Sequence, residues 1–184
     1  WMKKYKQKTP ADYLALLQSD TAKLFDNLQV GNDKNANLEK SLALSYHFLE
    51  SDDDRARFRM LGIFPPNVNY TGAALDAIWG ITDCFKQATA LIEVGLLDYD
   101  EKTNRYNQHP LLRAYALKLL TDANENEAVF GRYADFYTQR AKEIFVDLQD
   151  NPELWADKEG GANFDDVVNI KALGAELMRQ TQNG

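Results

Sequence analysis

"ALIEVGLLDYDEKTNRYNQHPLLRAYALKLL", residues 90–120, changes its hydrophobic period twice, and those changes decide the fold. The first residues close a helix that stops at Gly95, a residue that tolerates the left-handed backbone of a helix end. "LLDYD" and "RYNQH" then flank the polar turn "EKTN", which contains Asn104, and predict a short β-hairpin. "PLLRAYALKLL" returns to helical spacing, with Leu112, Tyr115, Ala116 and Leu119 at i, i+3, i+4 and i+7. His109, one of two histidines in the chain, stands where the hairpin meets this helix. Pro110 at the first helical position lacks an N–H that would be free there anyway, so His109 is the cap. Two readings stay open: a histidine that caps and packs, or a polar finger beside a helix N-terminus, where anions are favoured.

Working outward, the pattern is helical. Leu38, Leu42, Tyr46 and Leu49 form one stripe; Ser51 with Asp54 fits a capping box that opens the next helix through "ESDDD". Phe58, Leu61 and Ile63 lead into "FPPN", where a helix cannot continue. "GAALDAIWG" predicts a third helix ending at Gly80, and a fourth from about Thr82 carries Phe85, Ala88, Leu91 and Ile92. Helix, helix, helix, hairpin, helix is the order of a winged helix, placed at 38–123. The expected fold class is mainly α, a winged-helix domain of helices plus a small β-hairpin, flanked by helical segments. Residues 1–37 contain a helix that starts at Thr9-Pro10 and continues through Tyr13, Leu14, Leu17, Leu24 and Leu28. Residues 124–184 read as helices with Phe130, Tyr133, Tyr137, Ala141, Ile144 and Leu148 on one stripe. After "DNPELWADKEGGAN" the stripe resumes with Phe164, Val167, Ile170, Leu173 and Leu177.

The chain has 184 residues, enough for one good core or two small units sharing an interface. Its net charge of −7 is concentrated at the end, where residues 121–184 hold six basic against thirteen acidic side chains. That balance argues against nucleic acid, whose binding depends on neutralising phosphates. No apolar run reaches the length of a membrane span, and the basic N-terminus has no apolar stretch behind it, so no signal peptide is expected. A start at Trp1 reads as a piece of something longer. The single cysteine, Cys84, fits a cytoplasmic origin, and one cysteine with two distant histidines cannot make a structural zinc site.

No phosphate-binding loop, dinucleotide fingerprint or nucleophile elbow occurs, so no catalytic residues are expected from this chain. Asp52-Asp53-Asp54 is more simply a helix start, Cys84 a small packed residue, and His47 a structural histidine. Trp79 and Trp155 are expected to pack against the core or a partner.

"LEKSLALSYHFLESDDDRARFRMLGIFP", "ALIEVGLLDYDEKTNRYNQHPLLRAYALKLL" and "GRYADFYTQRAKE" follow one another across residues 38–143. The series resembles the winged-helix part of the NB-ARC regulatory ATPases, within the signal-transduction ATPases with numerous domains. The resemblance implies that 1–37 end a preceding helical subdomain and that 124–184 connect to downstream sensor repeats. It matches His109 to the histidine of a Met-His-Asp-type motif, which in that family reaches the β-phosphate of ADP and holds the closed, inactive state. Gln108 stands where the motif has Met and Pro110 where it has Asp. The family's P-loop and metal-binding strand are absent from this sequence. The resemblance therefore implies a regulatory module of a parent ATPase. That parent would use ADP or ATP with magnesium, with no nucleotide or metal held by these residues alone. Its implied partners are an upstream P-loop domain and downstream repeats of the same chain, and parents of this family often oligomerise. A DNA-binding winged helix, with residues 82–95 as recognition helix, and a nucleotide-independent interaction scaffold are the alternatives.

Overall fold

The computed structural model describes residues 43–150 and 164–182. The expected helix over 9–28, the stripe positions Leu38 and Leu42, the interruption over 151–163 with Trp155, and the side chains of Leu148 and Phe164 lie outside these described residues.

The described chain is mainly helical with one two-stranded antiparallel sheet. Helix α1 spans Asp52–Met60, and Ser51 caps it as expected: its Oγ accepts the Asp54 N–H at 3.0 Å and donates to the Asp54 carboxylate at 2.7 Å. A 3-10 turn, Leu61–Ile63, ends where Phe64 turns extended ahead of Pro65-Pro66. Helix α2, Gly72–Trp79, is capped by Thr71. Helix α3 spans Phe85–Glu93, starting three residues later than the sequence pattern suggests. Asp83 accepts the Phe85 N–H at 3.1 Å, so a side chain takes the amide that a helical turn would have used.

Strands β1, Asp98–Asp100, and β2, Arg105–Asn107, pair with Tyr99 opposite Tyr106, and Asn104 takes the left-handed conformation in the turn. The strands are shorter than the expected 96–100 and 105–109. Leu96 and Leu97 are buried, and the Leu96 N–H closes α3 on the Leu91 carbonyl at 2.9 Å while Gly95 bonds Ile92, so this segment is a helix end before it is a strand. Beyond the expected hairpin, Tyr70 and Tyr106 exchange two backbone hydrogen bonds, 2.9 and 2.8 Å. Helix α4, Pro110–Asp122, ends with Asn124 left-handed and the Glu125 N–H on the Leu120 carbonyl. Helices α5, Asn126–Asp150, and α6, Phe164–Gln182, complete the described chain.

One core runs through these elements, with Phe58, Leu61, Phe64, Leu75, Ile78, Leu91, Leu120 and Val129 all but fully buried. Each such side chain contributes about 1.5–3 kcal/mol on leaving water. Gly62 lets the 3-10 turn approach α4: a Cβ there would lie 2.3 Å from the Leu117 nitrogen. α5 seals the other side. Phe64 stacks on Tyr70 at 3.9 Å between ring centroids and meets the Tyr133 ring edge-on, and Arg132 donates to the Ile78 carbonyl at 2.7 Å. The α5 stripe is right for Tyr133, Tyr137 and Ile144, all buried. On α6 Leu173 is buried, but Leu177 is 43% exposed, so the stripe breaks there. The most buried α6 positions also include two polar ones, Asp166 and Asn169.

Candidate functional site

The β2–α4 junction is built from three residues with different fates. Tyr106 is tied on its backbone to Tyr70. Gln108 is buried and donates from Nε2 to the Leu96 carbonyl at 3.2 Å. Its Oε1 is buried without a hydrogen-bond partner among the described residues. His109 emerges exposed as the cap of α4, its backbone oxygen accepting the Arg113 N–H at 3.0 Å and its Nδ1 accepting the Leu111 N–H at 3.3 Å.

That last bond has a chemical consequence. A nitrogen that accepts carries no proton, so in the neutral ring the hydrogen sits on Nε2, the atom farthest from the backbone. The cap thus presents a donor beside the N-terminus of a thirteen-residue helix, where the backbone dipoles favour negative charge. Capping and presenting a polar finger are therefore compatible, because the two ring nitrogens divide the tasks.

Arg113, one turn further, fixes the helix to the proline-rich loop by donating from Nε to the Phe64 carbonyl at 2.7 Å. Partial burial lowers its pKa from the usual arginine value. It also lines an open groove of about 730 Å³ between Pro65-Pro66, α4 and the facing parts of α5 and α6, together with Phe130, Tyr133 and Arg179.

The other candidates stand apart in character. His47 is exposed beside the Tyr46 ring, at 6.0 Å between centroids. Cys84 is buried near the Gly72 carbonyl, and burial, with Asp76 adding to it, pushes its thiol up to about 11. A thiol held neutral in this way suits the packing reading rather than a nucleophile. Trp79 is buried and donates from its indole nitrogen to the Arg57 carbonyl at 3.1 Å. Asp54 is the cap partner described above, and Asp52 and Asp53 are exposed in the first turn of α1.

A cluster that sequence reasoning missed lies four residues before His109. Arg105, 9% exposed at its side chain, donates to Asp166 at 3.3 Å, and Arg140 donates to the other oxygen of Asp166 at 2.9 Å. Asp165 accepts from the Asn69 backbone and side-chain nitrogens at 3.3 and 3.1 Å. The two aspartates read from sequence only as the first turn of a helix, and 61 residues separate Arg105 from Asp166. Nothing local announces such a pairing.

The surface that a DNA reader would use is acidic. With Arg105 turned inward onto Asp166, the exposed charges of 82–109 are Lys86 and Lys102 against Asp83, Glu93, Asp98, Asp100 and Glu101. That face repels a phosphate backbone. Among the described residues no group of three or more His, Cys, Asp or Glu is arranged to hold a metal, and no helix is long and apolar enough to cross a membrane.

No protein-family model, curated protein or solved structure matches the chain.

Proposed function

We propose that residues 38–123 form a winged helix that senses ADP held by an adjoining P-loop domain of a parent ATPase, with His109 as the residue that reaches the diphosphate. The observation that carries this reading is the division of labour in the His109 ring. Nδ1 is occupied by the helix it caps, which leaves Nε2–H as an exposed donor at a helix N-terminus. The Tyr70–Tyr106 bridge supports the winged-helix part, since it joins the segment before α2 to the hairpin where such a fold has its third strand. Gln108 supports the motif comparison: it occupies a buried anchoring position, the role open to a Met of similar length.

In this reading the chain contributes one wall of a nucleotide site and no catalytic group. When ADP is present it supplies the charge that His109 and the helix amides recognise. ADP touching both domains gives the closed arrangement extra affinity, which is how a ligand biases two conformations. Partners are then the upstream P-loop domain and the downstream repeats, and partner choice, oligomerisation and cytoplasmic location belong to the same proposal.

The test is to purify the parent protein, denature it and chromatograph the released nucleotide. Near-stoichiometric ADP is expected. A hydrogen bond to a charged group is worth about 1.5–3 kcal/mol, so His109→Ala should speed ADP release by roughly ten- to hundredfold. ADP retention unaltered by this substitution would overturn the role of His109. A parent that carries no nucleotide would overturn the whole reading.

A second reading, an interaction scaffold indifferent to nucleotide, draws on the exposed apolar side chains of α5 and α6. Phe145 is 60% and Met178 68% exposed, and the nearby groove of about 580 Å³ is lined almost wholly by apolar groups. Partner capture that is equal with and without ADP would favour it.

A further inference from the structure

We infer that the first turn of α6 is a latch on the strand that leads to His109, so that docking of α6 and the position of the histidine are one equilibrium; this rests on the nucleotide-sensing reading of His109. Three separate segments converge on two residues. Asp166 holds Arg105 of β2 and Arg140 of α5, and Asp165 holds Asn69 from the segment before α2. The Asp166 and Arg105 side chains are 3% and 9% exposed and that of Arg140 28%, so the cluster is buried at Asp166 and opens to solvent at Arg140.

There is little slack between the latch and the histidine. Arg105 and His109 are four residues apart, and of the three residues between them Asn107 pairs with Asp98 in the sheet while the other two are held by hydrogen bonds. Tyr106 is bonded twice to Tyr70, and Gln108 is bonded to the Leu96 carbonyl beneath the cap. A shift of β2 when Asp166 leaves Arg105 is therefore passed to the cap of α4.

The chemistry of the contact suits a switch. Two arginines face two aspartates, with Glu143 also on Arg140, and the groups regain hydration if α6 lifts away, which offsets much of the Coulombic loss. An apolar seal of the same area would lack that compensation. α6 has other holds, including the Tyr133 hydroxyl on Asn169 at 2.9 Å and buried Leu173. Its first turn can thus loosen before the helix detaches. Whatever displaces α6 would draw the strand away from the nucleotide, and by reciprocity ADP would strengthen the docking of α6.

Hydrogen–deuterium exchange of the 184-residue chain, read by mass spectrometry, tests this without nucleotide. Asp166→Asn should raise exchange about tenfold or more in α6 and also in 105–113, within the usual range of coupling between sites, while residues 74–79 of α2 stay as in the wild type. Arg179→Ala, at the exposed far end of α6, should change neither region. Loosening of α6 with unaltered protection in 105–113 would overturn the latch, as would no change in either. If the Asp166 variant does not fold, Asn69→Ala removes only the side-chain bond to Asp165 and is judged by the same two regions. The two readings fail separately. Coupled exchange together with ADP retention indifferent to His109→Ala would leave a mechanical latch without a nucleotide. A nucleotide effect of His109 with uncoupled exchange would leave a sensor without the latch.

Discussion

Gly62 and Asp166 show two ways in which this chain fastens one helix to another. At Gly62 the 3-10 turn meets α4 backbone to backbone, close enough that an added Cβ would lie 2.3 Å from a main-chain nitrogen. At Asp166 the first turn of α6 meets β2 and α5 through charged groups removed from water. The first contact has one satisfactory arrangement. The second, on the latch proposal, has two, bonded or hydrated. The rigid contact therefore belongs inside the unit that presents His109, and the convertible one at its border with α6.

The comparison can be broken by three measurements. The largest effect is expected from Asp166→Ala, which takes the shared carboxylate from buried Arg105 and leaves Arg140 with Glu143. Breaking such a cluster from one side costs about 3–5 kcal/mol, read as a lower urea midpoint. A loss under about 1 kcal/mol would mean that the cluster is hydrated in solution, and the contrast with Gly62 would fall. Gly62→Ala should cost about 1–3 kcal/mol through overpacking against a backbone that cannot rotate aside. Its exchange pattern should show loosening at the α4 contact with Arg105 and Asp166 still paired. Wild-type stability would mean that the turn and α4 can separate without penalty.

The smallest effect concerns pH. Burial raises the Cys84 thiol to about 11 from 9.0 and the Tyr106 hydroxyl to about 12 from 10.0, and it raises Tyr70, Tyr133 and Tyr137 further. An acid raised on folding contributes stability that is complete below its unfolded value and is lost as pH climbs towards its folded value. Thermal midpoints should accordingly be level up to about pH 9, by the reference values of these groups, and fall steadily above it. The fall should be traceable to the core around Tyr70 and Tyr106 and to the Tyr133 hold on α6. A midpoint that holds level up to pH 11 would show that these groups ionise freely in the folded chain.

Much of the local structure was legible before any coordinates. Ser51 and Asp54 form the predicted cap, Gly80 and Gly95 end their helices left-handed, Asn104 turns the hairpin, and His109 caps α4. Each of these depends on hydrogen bonds spanning a few residues, or on the freedom of Gly and Asn to take positive φ. The errors share a cause too. The start of α3 moved because Asp83 bonded the Phe85 amide, and Leu177 left the stripe because it faces the open apolar groove between α5 and α6. Periodicity reports which side of a helix could be buried, not what lies opposite.

The candidate site divides in the same way. A histidine before a proline at a helix start can be read as a cap from the sequence, and so can the helix whose N-terminus it guards. The sequence alone thus determined the helical character of the described chain, its hairpin, most of its helix ends and the His109 cap, though not the start of α3 or the exposure of that cap. Only the tertiary structure decided that Gln108 points inward to Leu96, that Tyr70 pairs with Tyr106, and that Arg105 spends its charge on Asp166. The physical reason is range. A cap or a left-handed turn is settled within one turn of chain, whereas a charge 61 residues from its partner acquires its role only when packing removes the water between them.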